Sequence, residues 1–207
     1  MSSNEYLTRV NLMDAANPST DTPINLGKKV LVVGGGNTAM DSCRTAKRLG
    51  ADVTLVYRRS EAEMPARIEE VKHAKEEGIK FLTLHNPKEY LTDENGAVKA
   101  AVLDVMQLGE PDQSGRRRPE TTGETITIEC DQVIVAVGVS PNPLVPKSIE
   151  GLTLGRKNTI AVNDQMQSSR KEIYAGGDIV RGGATVILAM GDGRRAAMNM
   201  SKQLTEA

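Results

Sequence analysis

The sequence predicts an α/β fold built on a doubly wound parallel sheet. Short, continuously apolar runs rich in β-branched residues occupy positions 28–36, 51–59 and 79–85, as expected of strands buried on both faces. Two segments with helical spacing of their apolar residues separate these runs. Because a β-α-β-α-β order within one sheet implies right-handed crossovers, the sequence predicts a Rossmann-like parallel sheet.

The predicted helices have recognisable ends. Gly50 ends the first helix, whose apolar positions are Ala39, Cys43 and Ala46. The second helix is predicted to begin at Met64-Pro65, because proline favours the first helical position and restricts the residue before it. Gly78 closes this helix, and its predicted apolar stripe consists of Ile68, Val71 and Ala74.

An antiparallel β insertion interrupts this rhythm over residues 86–131. Two stretches within it have the alternation of antiparallel strands: AVKAAVLDVMQL and ETITIEC. The turn-rich segment between them contains Arg116-Arg117-Arg118, which we interpret as a solvated loop. Residues 132–138 return to the buried, parallel type of strand.

A change of character near Pro143–Pro146 divides the chain. Residues 1–27 are polar and irregular and are predicted to form an N-terminal linker segment. Residues 28–145 are predicted to form one domain. Residues 146–207 would form a second one, with a final helix from about Ala184 to Gln203.

The composition excludes several classes of partner. Lys and Arg total 26 against 27 Asp and Glu in 207 residues, so no global charge favours nucleic acid or an anionic membrane. No apolar run approaches the roughly 20 residues that cross a bilayer, and the polar N-terminus is unlike a signal peptide. We therefore expect a cytoplasmic chain with no nucleic-acid partner and no membrane contact.

Cysteine and histidine are too few for most metal and nucleophile chemistry. Cys43 and Cys130 belong to no C-x-x-C pair, and an iron–sulfur cluster generally needs four thiolates. His73 and His85 lie in unlike contexts without a matching acid or nucleophile nearby. The sequence therefore predicts no metal site and no catalytic triad, and it identifies no catalytic residue.

The sharpest motif is a glycine loop between the first strand and the first helix. It reads G-x-G-x-x-A and consists of Gly34, Gly35, Gly36, Asn37, Thr38 and Ala39. In a dinucleotide site the first glycine allows a tight turn, the second lets the backbone approach a pyrophosphate, and the small third residue lets helix and strand pack closely. Free N–H groups and the positive end of the helix then meet the phosphates. We interpret the loop as a dinucleotide site, and the alternative is a purely structural turn.

The end of the second strand predicts which nucleotide binds. An NAD site usually has Asp or Glu about 20 residues after the glycines, where it bonds the ribose 2′-hydroxyl of the adenosine. This sequence has Arg58 and Arg59 there. Two guanidiniums offer paired donors to a 2′-phosphate, whereas a carboxylate would repel it. The prediction is NADP(H) rather than NAD(H), and the alternative is a solvated strand end.

Two further glycine signals are weaker. Gly138 ends a buried strand and could bring backbone against a cofactor, although a structural turn would have the same pattern. Gly177 and Asp178 precede a helix that begins near Thr185. A carboxylate there can accept a polyol hydroxyl while the helix N-terminus points toward a partly anionic ring, and a simple turn is the alternative.

Four motifs, taken in order, resemble those of the small (beta) subunit of NADPH-dependent glutamate synthase and of related flavin oxidoreductases. They are VVGGGNTAMD, VYRRSEAEMPA, VIVAVGVSPNP and YAGGDIVRGGATVILAMGDGRRAA. The resemblance runs from about residue 4 to 203 and implies the two-dinucleotide-binding-domain flavoprotein fold, in which an NADPH domain is inserted between two halves of an FAD domain. Residues 28–145 would then be the NADP(H)-binding domain, and residues 146–207 the C-terminal half of the FAD domain.

The resemblance also implies roles and partners. The loop from Gly34 to Ala39 would hold the NADPH pyrophosphate, with Arg58 and Arg59 on the 2′-phosphate. Gly177 and Asp178 would lie on FAD, and the helix after them would point its N-terminus at the flavin ring. In such proteins NADPH gives hydride to FAD, and electrons pass through iron–sulfur clusters to a partner. The implied partner is the glutamate synthase large subunit, which makes glutamate from glutamine and 2-oxoglutarate, or another iron–sulfur or flavin electron-transfer protein.

The sequence departs from that family at two points. The cysteine-rich cluster ligands of the family's N-terminal region are missing, and nothing before Lys28 supplies the earlier glycine fingerprint for FAD. We therefore expect a truncated, C-terminal portion of such a protein, which by itself neither holds FAD stoichiometrically nor oxidises NADPH. The alternatives are a non-catalytic nucleotide-binding fragment and the equivalent subunit of a ferredoxin:NADP oxidoreductase or sulfide dehydrogenase.

Overall fold

The computed structural model describes residues 1–111, 115 and 117–206, which form two compact units, Met1–Val137 and Gly138–Ala207. The helices of the first unit are α1 (Ser3–Leu12), α2 (Asn37–Arg48) and α3 (Ile68–Glu76). Its strands are β1 (Lys29–Val33), β2 (Asp52–Tyr57), β3 (Lys80–Thr83), β4 (His85–Thr92), β5 (Val98–Pro111), β6 (Arg117–Glu129) and β7 (Gln132–Val135). The helices of the second unit are α4 (Leu144–Ser148), α5 (Asp178–Arg181) and α6 (Val186–Thr205).

The predicted parallel sheet is confirmed. Its strands lie in the order β3-β2-β1-β7 and all pair in parallel, with Val33 of β1 opposite Val56 of β2 and Val135 of β7. The chain runs outward from β1 to β3 and later returns to the free edge of β1 as β7. Such a reversal of strand order opens a crevice at the carboxyl ends of the strands, which is where α/β folds bind ligands.

The two faces of this sheet are covered by different layers. Val32 of β1 belongs to a core shared with the helices, whereas Leu31 belongs to a second core shared with the antiparallel sheet. The doubly wound pattern predicts helices on both faces, but the described residues have helices on one face only. The antiparallel insertion covers the second face instead, because its inward positions are apolar, as at Ala101 and Leu103.

The antiparallel insertion itself is confirmed, and it includes a strand that the pattern does not reveal. β5 pairs with β4 on one side and with β6 on the other. β4 is polar, carries Pro87 and has a register shift, so it lacks a strand signal of its own. Arg117 pairs with Pro111, so β6 begins inside the segment expected to be a turn. Arg117 and Arg118 are exposed, and Arg116 lies outside the described residues.

The first predicted helix is confirmed, and the second begins later than expected. α2 buries its predicted stripe, which consists of Ala39, Cys43 and Ala46. α3 begins at Ile68 rather than Pro65, because Arg67 still has extended backbone angles, φ −61° and ψ 142°. Ile68 is consequently 79% exposed, and only Val71 and Ala74 of its predicted stripe are buried.

The N-terminal segment contains a packed helix and is not the irregular linker that the sequence predicts. α1 begins where the Ser2 hydroxyl accepts a hydrogen bond from the Glu5 N–H. Tyr6 is 1% exposed in the helix-side core, and burial raises its pKa to about 12. The Met1 amino group donates to the carbonyl oxygen of Val133. These contacts make α1 part of the first unit.

The second unit combines helices with short extended segments. Isolated antiparallel bridges link those segments, such as the bridge between Leu154 and Ile160. α6 begins directly after Thr185, which agrees with the predicted start of the final helix. The division between the units follows Val137, eight residues before the domain boundary that the sequence predicts after residue 145.

Candidate functional site

The glycine loop begins where β1 ends, at the carboxyl edge of the parallel sheet. Gly34 has φ +145°, and its N–H donates to the carbonyl oxygen of Val56 at 2.9 Å. A Cβ atom on Gly34 would collide with the carbonyl oxygen of Ala136, the residue after β7. Glycine is therefore required here by its backbone conformation and by the close approach of a neighbouring strand.

The rest of the loop is packed on one side and open on the other. A Cβ atom on Gly35 would lie 2.7 Å from the ring of Tyr57. One on Gly36 would meet only Pro65 Cγ, at 4.0 Å. Ala39, the small third residue of the motif, is fully buried. The loop is thus closed at Gly35 and Ala39 and open at Gly36.

The first turn of α2 has unused backbone donors. Gly36 is the N-cap residue and has no side chain with which to cap the helix. Its carbonyl oxygen accepts from Ala39 and Met40, while no oxygen of the described residues accepts from the N–H groups of Asn37 and Thr38. The free N–H groups of a helix start and the helix dipole together attract anions.

Two guanidiniums follow β2 at the same edge of the sheet. Arg58 is exposed and Arg59 is half-buried, and both come directly after Tyr57, whose ring packs on Gly35. The arginine ion pairs found in the described residues involve neither of them. Arg59 Nε is buried without a hydrogen-bond partner.

The arginines of α2 are, by contrast, neutralised by carboxylates of α3 and the residue after it. Arg44 Nη1 lies 2.7 Å from Glu70 Oε2, and Arg44 Nε lies 2.8 Å from Glu77 Oε1. Arg48 Nη2 is also 2.7 Å from Glu77 Oε1. Hydrogen bonds from Arg48 and then Arg44 hold the pKa of Glu77 below its usual range. The arginines of α2 are therefore paired with carboxylates, whereas the two arginines after β2 are in no ion pair among the described residues.

The segment ahead of α3 also contacts the loop, which the sequence pattern does not predict. The Ala66 N–H donates to the carbonyl oxygen of Gly35 at 3.0 Å. The Arg67 N–H donates to Asn37 Oδ1 at 2.9 Å, which brings a third arginine next to the start of α2. Pro65 is a local signal for this extended segment, because proline disfavours helical angles in the residue before it.

The second unit brings the predicted residues Gly177, Asp178 and Thr185 together around the starts of α5 and α6. Gly177 is buried with φ +72°, and its N–H donates to Asp192 Oδ2 at 3.1 Å. Asp178 is exposed, and its Oδ1 accepts from the Ala184 N–H at 3.2 Å. The hydroxyl of Thr185 caps α6.

Asp192 is a candidate that the sequence pattern does not reveal. It is 1% exposed and is the one buried carboxylate among the described residues. Its oxygens accept from Arg181 Nε and Nη2, each at 2.6 Å. Hydrogen bonds from Arg181 and then from the Gly177 N–H lower the pKa of Asp192 to about 2. Eleven positions separate Arg181 from Asp192, so no local spacing marks the pair.

The other residues singled out from the sequence, Gly138 and the two cysteines, have no polar partner that would suggest a role in chemistry among the described contacts. Gly138 is exposed with φ +95°, and a Cβ atom there would meet nothing within 4 Å. Cys43 and Cys130 are free and buried, and burial raises the pKa of both thiols. In the part of the chain that the structure describes, no group of three or more metal-ligating side chains comes together. Nor is any helix described there long and apolar enough to span a membrane.

Proteins with similar sequences are subunits of oxidoreductases and are longer than this chain. The NADPH-Fe(3+) oxidoreductase subunit beta of Geobacter sulfurreducens is 40% identical over 208 residues, which covers 89% of this chain and 31% of that protein. The glutamate synthase (NADPH) small chain of Escherichia coli is 42% identical over 177 residues, which covers 83% of this chain and 38% of that protein. The chain therefore spans about a third of the length of these relatives.

A solved structure and a family model match over most of the chain. Thioredoxin reductase of T. acidophilum has the same fold, with a TM-score of 0.71 at 24% identity, covering 86% of this chain and 53% of that one. The family model for pyridine nucleotide-disulphide oxidoreductases matches residues 3–193. Proteins of this family bind FAD and NADP(H). The chain, with its parallel sheet, glycine loop and second glycine turn, belongs to the pyridine nucleotide-disulphide oxidoreductase family.

Proposed function

We propose that the first unit binds NADP(H) and that the chain is part of a flavin-dependent oxidoreductase that passes hydride from NADPH to FAD. One observation carries this proposal: an uncapped helix N-terminus lies at the same sheet edge as two arginines that have no carboxylate partner among the described residues. Both features attract phosphate, and a dinucleotide with a 2′-phosphate satisfies both of them.

The pyrophosphate is assigned to the first turn of α2. The N–H groups of Asn37 and Thr38 are available to donate to it, and the missing side chain of Gly36 lets the backbone approach it closely. The positive end of the helix dipole adds to this attraction. The other residues of the motif act indirectly by fixing the loop against the sheet, and they are Gly34, Gly35 and Ala39.

The 2′-phosphate is assigned to Arg58 and Arg59. Each charge-assisted hydrogen bond contributes about 1.5–3 kcal/mol, which is roughly tenfold or more in affinity. NAD(H) presents only a hydroxyl at that position, so it gains much less from the two guanidiniums. Arg58 is exposed and Arg59 is half-buried, and neither guanidinium is in an ion pair among the described residues.

The second unit is proposed to supply part of an FAD site. On this view residues 28–145 are the NADP(H)-binding domain and residues 146–207 are the C-terminal half of the FAD domain. The exposed carboxylate of Asp178 can accept a polyol hydroxyl, and Thr185 marks the N-terminus of the helix that would face the flavin ring. Gly138 has open space where a side chain would be, and its backbone is proposed to contact a cofactor.

The residues of this chain fit FAD only in part. NADPH and FAD together supply hydride transfer, whereas the residues named here bind and orient. Contacts to the FAD pyrophosphate and adenosine have no candidates among them, and losing such contacts would weaken a nanomolar site to about high micromolar affinity or weaker. We therefore expect the isolated chain to lose FAD on gel filtration and not to oxidise NADPH at an enzyme's rate. One flavin retained per chain would contradict this expectation.

Calorimetry with NADPH and NADH tests the nucleotide assignment. We expect NADPH to bind at least about tenfold more tightly, because only it carries the 2′-phosphate. Adenosine 2′,5′-bisphosphate should compete with NADPH, and AMP should compete much less. Equal affinity for NADPH and NADH would contradict the role of the arginines. Absence of binding by either nucleotide would contradict the site as a whole.

For the whole protein we propose the role of the small subunit of an NADPH-dependent glutamate synthase, with the large subunit as its partner. The four sequence motifs and the 42% identity to such a small chain support this role. Another electron-transfer subunit is the second candidate, favoured by the 40% identity to the NADPH-Fe(3+) oxidoreductase subunit. A nucleotide-binding fragment without chemistry is the third.

Reconstitution distinguishes the three roles. The full-length protein is mixed with a glutamate synthase large subunit, and NADPH oxidation and glutamate formation from glutamine and 2-oxoglutarate are measured together. Glutamate formation would support the first role. NADPH oxidation with chelated ferric iron but without glutamate would support the second. No NADPH oxidation with either acceptor would favour the third.

A further inference from the structure

Asp192 lies on α6, buried against the glycine turn that precedes α5. A buried carboxylate is costly unless it is paired and hydrogen-bonded, and both conditions are met here. Arg181 donates to both oxygens at 2.6 Å, and the Gly177 N–H donates to Oδ2 at 3.1 Å. The carboxylate therefore joins the backbone of the turn to the last residue of α5.

The turn approaches α6 so closely that only glycine fits beside Asp192. A Cβ atom on Gly176 would lie 2.7 Å from Asp192 Cβ. One on Gly177 would lie 3.2 Å from Ala189 Cβ, and Gly177 also has φ +72°. The backbone donor of Gly177 can reach the carboxylate because these side chains are absent.

The same contacts hold the chain that follows the turn. The Arg181 N–H donates to the carbonyl oxygen of Gly177 at 2.9 Å, and the Arg181 side chain returns to Asp192. Asp178 Oδ1 accepts from the Ala184 N–H at 3.2 Å, just before the start of α6. Asp192 thus ties the beginning and the middle of the segment to α6, and the hydrogen bond between Asp178 and Ala184 closes the segment on itself.

We infer that Asp192 is a positioning residue, which holds the segment Gly177–Thr185 so that Asp178 and the N-terminus of α6 meet the same ligand. This inference rests on the proposed function, in which that ligand is a flavin. Asp192 itself is buried and its oxygens are used within the unit, so it acts through the turn and not by touching the ligand. An apolar residue at position 192 could not replace it, because the Gly177 N–H and the Arg181 fork would both lose their acceptor.

Amide hydrogen exchange, monitored by NMR, tests the positioning role without any ligand. Asp192→Asn keeps the size of the side chain and an acceptor for Gly177, but it removes the charge that pairs with Arg181. We expect the amides of Val180, Arg181 and Gly182 to exchange about tenfold faster or more, because charge-assisted hydrogen bonds to Arg181 are lost. Arg181→Lys keeps the charge but loses the two-pronged contact, and a smaller acceleration is expected. Asp164→Asn removes an exposed carboxylate from the same unit and is the matched control.

FAD fluorescence anisotropy, with trace FAD and the chain in large excess, tests the connection to a flavin. We expect Asp192→Asn to weaken FAD binding at least about fivefold relative to wild type and Asp164→Asn, at a temperature where circular dichroism shows all three folded. Should Asp192→Asn fail to fold, Arg181→Lys gives the same comparison. FAD binding that both variants leave unchanged would overturn the inference while the proposed function stands. Absence of FAD binding by wild type, even at the highest chain concentration, would contradict the assignment of a flavin to this unit and, with it, that of Asp192 to a flavin site, whereas the NADP(H) site of the first unit is tested separately by calorimetry.

Discussion

The glycine loop before α2 and the glycine turn before α5 use the same residue type with opposite results. At the loop, the helix start has no cap, Gly36 faces open space, and Arg58 and Arg59 have no carboxylate partner among the described residues. At the turn, the Gly177 N–H already donates to Asp192, and the same carboxylate neutralises Arg181. The turn contains its own anion, the Asp192 carboxylate, whereas the described residues supply no anion to the loop.

This difference teaches that glycine before a helix does not by itself identify a phosphate site. Backbone donors become available to a ligand only when the protein leaves them unsatisfied, and buried polar groups are otherwise paired. In the part of the chain that the structure describes, the N–H groups of Asn37 and Thr38 have no acceptor, whereas the turn uses the Gly177 N–H to fix its own geometry. The loop is therefore the better candidate for an anionic ligand, and the turn is the better candidate for a rigid platform.

Gly34→Ala should break the loop and have the largest effect of the changes considered. The new Cβ atom would collide with the carbonyl oxygen of Ala136, and alanine disfavours φ +145°. We expect the free energy of unfolding of the first unit to fall by about 3 kcal/mol or more, measured by urea denaturation. Gly36→Ala is the control: its Cβ atom meets open space, so it should cost about 1 kcal/mol or less while weakening NADPH binding. Equal stability of the two variants would contradict the close approach at Gly34.

The double variant Arg58→Ala/Arg59→Ala should remove the charge that distinguishes the loop from the turn. Loss of charge-assisted hydrogen bonds to the 2′-phosphate should weaken NADPH binding about a hundredfold and leave NADH binding nearly unchanged, as measured by calorimetry. Added salt should weaken NADPH binding by wild type, because exposed charges are screened over about 8 Å at physiological ionic strength. The matched control is Arg117→Ala/Arg118→Ala, which removes two exposed arginines from β6. The same loss of affinity in that control would show that the effect is only one of net charge.

Acid should loosen the turn through Asp192. Its pKa in the folded unit is about 2, below its ordinary value of 3.8, so the ionised form is favoured by folding. The stability from this group is complete above about pH 4 and is lost as the pH falls toward 2. The protection factor of the Gly182 amide, which is the exchange rate of an unstructured peptide divided by the observed rate at the same pH, should therefore fall over that range in wild type. The fall in this protection factor should be shallower in Asp192→Asn, which has no carboxyl group to protonate at this position. Identical pH profiles would contradict the pairing of Asp192 with Arg181.

Removing the cap of α6 or adding a cap to α2 should have the smallest effects. The Thr185 hydroxyl accepts from the Leu188 N–H at a long 3.4 Å, so Thr185→Ala should cost only about 0.5 kcal/mol in urea denaturation. Gly36→Ser adds a cap where α2 has none and should stabilise the first unit by a few tenths of a kcal/mol. The same serine should weaken NADPH binding, because it occupies donors assigned to the pyrophosphate. Unchanged NADPH affinity in Gly36→Ser would place the pyrophosphate elsewhere.

The parallel strands and the glycine loop could be predicted because their signals are local. Buried strands need continuous apolar runs, and Gly34 needs a residue that tolerates positive φ. α1 also had a local signal, the Ser2-x-x-Glu5 spacing of a helix cap, but its polar composition concealed it. The burial of Tyr6 stabilises that helix through contacts with residues far along the chain.

Three other features could not be predicted from neighbouring residues, because they depend on contacts between segments that are distant in the sequence. The polar strand β4 forms because β5 lies beside it. The second face of the parallel sheet is covered by the antiparallel sheet, although strand apolarity alone is equally compatible with helices there. The start of α3 was shifted by the contact of Ala66 with Gly35, so Ile68 became exposed.

By itself the sequence determined the order of the parallel strands and of the two helices between them, the glycine loop and the charge that follows β2. These depend on hydrophobic periodicity, backbone freedom and residue type, all of which act over a few neighbouring positions. Only the tertiary structure decided which charges are neutralised. Among the described residues, Arg44 and Arg181 meet carboxylates and Arg58 and Arg59 do not, although all four are the same residue type. An ion pair is made by side chains that folding brings within about 3 Å, and that distance is set by the packing of whole elements.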